Sequence, residues 1–114
     1  MVTRGFIRAW RKWQHSSEPA SNFNNRRGNA PTYGIECALD HLASYVYSLC
    51  TSAIGNVDWD YPKLASEQLA ELDRINSELE KCAISEPARQ EFREYISATR
   101  ALLEELRGVS KNKN

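Results

Sequence analysis

The sequence predicts an all-α protein. It reads as an up-down-up three-helix bundle over about 32–54, 61–83 and 86–107, preceded by a basic amphipathic helix over about 3–15. Three observations carry that reading. Apolar residues recur at spacings of three and four in three successive segments, the segments have similar lengths, and the connections between them are short. The remainder divides into a polar linker, 16–31, and a polar tail, 109–114.

The first bundle helix is carried by Ile35, Leu39, Leu42, Val46, Leu49 and Ala53, a single apolar stripe. Thr32 fits its N-cap, and Gly55 stands where a left-handed residue would close it. The second begins at WDYPK. There Asp60 fits an N-cap, Pro62 falls in the first turn where a missing N–H costs little, and Trp59 has the spacing to staple onto Leu64. Its stripe is Ala65, Leu69, Leu72, Ile75, Leu79 and Cys82.

The third repeats that entry in SEPAR, with Ser85 as cap and Pro87 behind it. Its stripe runs through Ala88, Phe92, Tyr95, Ile96, Thr99, Leu102, Leu103 and Leu106, and Gly108 ends it. Arg107 puts positive charge at the negative end of the helix dipole. Arg74–Glu78 and Arg100–Glu104 have i,i+4 spacing for surface ion pairs. A bundle of ~75 residues buries only about 60–65 % of the surface its unfolded chain exposes. Such a core needs help, from the N-terminal segment folding back or from self-association.

A net charge of zero conceals an asymmetry. Residues 1–34 carry six basic side chains against Glu18 alone, whereas residues 35–107 carry seven basic and fourteen acidic ones. Charge polarity of this kind points to an interaction arm. Three cysteines without a close pair do not form a disulfide framework or a CxxC metal site. They imply reduced thiols and a cytoplasmic setting. No apolar run approaches the ~20 residues of a transmembrane helix.

Catalytic chemistry finds little support. In ECALDH, residues 36–41, Cys37 and His41 share one helical surface with Glu36 and Asp40 beside them. Two further zinc ligands are missing, and no orienting group or oxyanion site accompanies the thiol. The segment therefore reads as a polar helix surface, with a thiol- or metal-dependent enzyme as the remotest alternative. No cofactor is implied. Cys50 and Cys82 read as core packing, and Tyr33, Tyr45 and Tyr47 as packing residues first and interface residues second.

The opening stretch, RGFIRAWRKWQH, carries the functional expectation. Drawn as a helix, it sets Phe6, Trp10 and Trp13 on one face and gives the rest to Arg4, Arg8, Arg11, Lys12 and His15. Four uses fit this pattern: an aromatic helix docked on protein in cis or in trans, a nucleic-acid arm, a helix on anionic lipid, and a targeting peptide. The first is preferred. The protein is expected to be a non-enzymatic interaction module, a small regulator, inhibitor or assembly factor, docking through Phe6, Trp10 and Trp13 on a protein partner or a second copy of itself. The alternative is a nucleic-acid-binding protein using Arg4, Arg8, Arg11, Lys12, Arg26 and Arg27.

Overall fold

A computed structural model describes residues 2–23 and 33–109, and among these the only regular elements are four helices. They are α1 (Arg4–Phe23), α2 (Tyr33–Ile54), α3 (Tyr61–Glu80) and α4 (Glu86–Arg107). None is long and apolar enough to cross a membrane.

The helices pack as a bundle in which α1 lies against α4 and α2, α4 against α3, and α3 against α2. Paired contacts show α4 running antiparallel to both α1 and α3. Gly5 and Trp13 of α1 meet Glu105 and Thr99 of α4, Trp10 meets Tyr47 of α2, and Arg100 and Arg93 of α4 reach Asp73 and Glu80 of α3. At Gly5 the Glu105 carboxylate of α4 comes close enough that an added Cβ would lie within 2.8 Å of it and the flexible side chain would have to move aside. That carboxylate sits beside the positive end of the α1 dipole.

Local entry devices set the helix starts. Asp60 accepts from the Lys63 N–H and Ser85 from the Ala88 N–H, each ahead of a proline in the first turn. Thr3 does the same for α1, its Oγ1 accepting from the Phe6 N–H at 3.0 Å. The Thr32 cap expected for α2 lies outside the described residues.

The exits of α2 and α3 differ from expectation, whereas α4 closes on Gly108 as expected. The left-handed residue after α2 is Asn56 (φ 63°), and Gly55 ahead of it is not left-handed. Gly108 closes α4 in a right-handed conformation (φ −84°). Asn tolerates the left-handed region because its short side chain bonds locally. Helix α3 ends at Glu80, earlier than the stripe through Cys82 implied. Arg89 crosses from α4 to cap it, donating to the Leu79 and Cys82 carbonyls at 2.8 and 2.9 Å. A guanidinium there satisfies orphan carbonyls at the negative end of the dipole.

The apolar stripes meet in one core that includes Leu39, Val46, Leu49, Leu72, Ile75, Leu79, Phe92, Leu102, Leu103 and Leu106. Tyr61 and Val109 join it from outside the expected stripes, while Cys82 is only partly buried. Phe6 and Trp13 are buried in the same core. Helix α1 is therefore as much a part of the bundle as the other three. It also runs to Phe23, beyond the limit of about 15, although Pro19 forgoes one main-chain bond within it.

Two further expectations change. Trp59 lies against the Tyr61 ring, centroids 6.3 Å apart, and remains 40 % exposed. Arg74 pairs with Glu71, with Glu78 adding a weaker attraction, and Arg100 pairs with Asp73 across to α3 in place of Glu104.

Candidate functional site

On α1, burial divides the side chains by face. Phe6 and Trp13 point inward, and Trp10 and Ile7 are partly buried at the edge. The Trp13 indole N–H donates to Thr99 Oγ1 at 2.9 Å, and that hydroxyl donates to the Tyr95 carbonyl at 2.8 Å. A buried hydrogen bond thus fixes the register of α1 on α4. It also accounts for a threonine in the apolar stripe of α4.

Burial pushes the Tyr95 phenol up to about 12, with the Asp40 carboxylate acting in the same direction. Burial likewise pushes the Cys50 thiol up to about 12. Both groups keep their protons in the folded state where the unfolded chain releases them. Their contribution is complete below pH ~9 and is lost as the pH rises to about 12. We predict a loss on the order of 2 kcal/mol in urea denaturation between pH 8 and 10.5, and a flatter profile for Cys50→Ala/Tyr95→Phe. A native Cys50 that thiol reagents modify at neutral pH would contradict this burial.

The outer face of α1 is cationic. Arg4, Arg8, Arg11 and His15 recur at the spacing of one helical stripe, opposite Phe6 and Trp13, and all four are exposed. Lys12 is exposed too, but lies toward α4 near Glu94. Among the described residues, Arg4, Arg8 and Arg11 form no ion pair. The five arginines of α3 and α4 all do: Arg74 with Glu71, Arg89 with Glu86, Arg93 with Glu80 and Glu86, Arg100 with Asp73, Arg107 with Glu104. Arg26 and Arg27 lie outside the described residues.

Toward α2, Trp10 stacks on Trp13 (centroids 5.8 Å) and meets Tyr47 (5.6 Å), which is 52 % exposed. Arg4, Arg8 and Arg11 line, together with Val2, Thr3 and Ile7, an open surface hollow of ≈ 410 Å³. Of the three aromatic anchors, the structure therefore commits Phe6 and Trp13 to the chain's own core. Trp10 alone reaches the surface.

The ECALDH segment separates. His41 is exposed, whereas Glu36 turns inward at 2 % exposure, a burial its place beside the polar face did not announce. Among the described residues no three His, Cys, Asp or Glu side chains converge on one point.

No family model matches the chain, and no curated protein or solved structure does so either.

Proposed function

We propose that the protein is a non-enzymatic interaction module that captures an acidic protein surface on the cationic outer face of α1. In this reading α2, α3 and α4, alternating up, down and up, are the scaffold on which α1 is carried. The observation that supports it is the contrast between α1 and the rest. Every arginine of α3 and α4 has an acidic partner, while Arg4, Arg8 and Arg11 have none among the described residues. Three guanidiniums held on one rigid stripe are preorganised for carboxylates, and guanidinium is the cation best suited to bidentate pairing. The docking surface is thus the polar face of α1 with Trp10 at its edge, because Phe6 and Trp13 are occupied in cis.

One observation favours a second reading. Trp10 and Tyr47 meet on the α2-facing side of α1, and partly exposed aromatic rings on a helix that carries guanidiniums can stack bases while the cations hold phosphates. The fourteen acidic side chains of residues 35–107 confine such contact to α1.

A labelled polyglutamate peptide and a labelled single-stranded oligonucleotide separate the two. The polyglutamate is expected to bind at low salt and to lose at least about tenfold in affinity in Arg4→Glu/Arg8→Glu/Arg11→Glu, whose changes are confined to exposed side chains. Equal binding by that variant defeats the reading. Tighter binding of the oligonucleotide, with a log–log salt slope of about −2 for three phosphate contacts, shifts the function to nucleic acid.

A further inference from the structure

We infer that the acidic protein surface received by α1 is the α2–α3 loop of a second copy of this chain, in a reciprocal two-fold dimer. The inference rests on the reading of α1 as a docking face and names its partner.

The loop, residues 55–60, has the complementary chemistry. Val57 and Trp59 are 43 % and 40 % exposed, Ile54 just before them 42 %, and Asp58 and Asp60 flank the tryptophan. These three account for most of the large apolar side chains exposed among the described residues, the others being Tyr45 and Tyr47. The segment is built to hold that shape. The Val57 N–H donates to the Ser52 carbonyl at 2.9 Å, the Tyr61 hydroxyl donates to the Val57 carbonyl, and the Tyr61 ring supports Trp59. A loop already fixed in its docking conformation avoids most of the ordering cost of association. Exposed apolar side chains held this way, with tryptophan among them, are what interface anchors look like.

The α1 hollow matches it group for group. Val2 and Ile7 line the same hollow and offer apolar surface to Val57 and Trp59, and Arg4, Arg8 and Arg11 offer cations to Asp58 and to the Asp60 oxygen that does not cap α3. Because α4 runs antiparallel to both α1 and α3, the start of α1 and the α2–α3 loop lie at the same end of the bundle. One two-fold axis can therefore satisfy both contacts at once, each copy giving its loop and receiving its partner's. A single such contact is small. Two reciprocal ones double the buried area, toward the roughly 1,200 Å² at which stable interfaces begin.

Sedimentation equilibrium of the full chain tests this across a concentration series. The wild type is expected to dimerise, more weakly as salt rises. Trp59→Ala, Asp58→Arg and Arg8→Glu, all at exposed positions and checked for helicity by circular dichroism, should each weaken the dimer at least about tenfold. An equimolar mixture of Asp58→Arg and Arg8→Glu should recover a heterodimer. Its two contacts are one native pair and one pair with both charges reversed. A dimer indifferent to all three substitutions, or a mixture that stays monomeric, overturns the inference. A monomeric wild type whose Arg4, Arg8 and Arg11 still capture polyglutamate overturns it as well, while leaving α1 as a docking face for another acidic protein. Loss of both self-association and polyglutamate binding defeats the parent reading too.

Discussion

Trp13→Ala is expected to destabilise the protein by about 3–5 kcal/mol, the range for removing a large buried aromatic side chain. The indole is buried against the Tyr95 ring, with centroids 6.5 Å apart, and its N–H reaches Thr99 across the α1–α4 contact. Its loss opens a cavity and leaves the Thr99 oxygen without its donor, so two destabilising causes coincide. Trp13→Phe keeps part of the volume and loses the hydrogen bond, and should cost about 1–2 kcal/mol more than a conservative apolar exchange elsewhere. Trp10→Ala is the contrast. Trp10 is only partly buried, so about 1 kcal/mol is expected. Urea denaturation of the three variants measures the ranking. A cost of only about 1 kcal/mol for both Trp10 and Trp13 would mean that neither ring is packed in the core.

Removal of α1 should have the larger effect. A chain beginning at Tyr33 loses Phe6 and Trp13 together, and with them the cover over the α1-facing side of α4. At about 3–5 kcal/mol for each aromatic, the loss is about 6–10 kcal/mol, a large part or all of the 5–15 kcal/mol that holds an ordinary domain together. The expected product keeps helical signal in the far ultraviolet but loses its near-ultraviolet aromatic signal and binds a hydrophobic dye. Cooperative unfolding within a few degrees of the full chain would instead make α2, α3 and α4 a self-sufficient unit with α1 as an accessory.

These two experiments turn on what the sequence makes legible and what it hides. The stripes of α2 and α4 are readable because burial repeats with the helical period, and residues from Ile35 to Ala53 and from Phe92 to Leu106 are buried where that period puts them. The caps at Asp60 and Ser85 are readable because capping is local chemistry. The same periodicity marks Phe6, Trp10 and Trp13 as a face that must be covered. It cannot say by what, since an amphipathic pattern records burial and not the chain that provides it. The polar partner that decides the matter, Thr99, lies 86 positions away and looks like one more member of a stripe.

Long-range geometry also hides the rest. Arg100 has an acid four residues on, yet Asp73 on α3 is nearer once the helices pack. Glu36 borders a polar face and turns inward, and nothing in ECALDH distinguishes it from Asp40. The loop between α2 and α3 follows a different logic. Gly55 is the conventional choice for a left-handed exit, but Asn56 takes that conformation. The loop then leaves Val57 and Trp59 in the open. A staple on Leu64 would have placed Trp59 against the helix it precedes. The cationic stripe is visible as charge, whereas its lack of acidic partners among the described residues shows only against the paired arginines of α3 and α4.

The central claim is that α1 belongs to the fold and turns its cationic face outward. Hydrogen exchange read by nuclear magnetic resonance tests it most directly. The Trp13 indole N–H and the α1 amides from Ile7 to Trp13 should be protected to within about tenfold of the Leu102 and Leu103 amides, as members of one cooperative unit, while the half-buried Trp10 indole exchanges faster. A Trp13 indole exchanging at the rate of an unstructured peptide, with α2 to α4 still protected, would contradict the account.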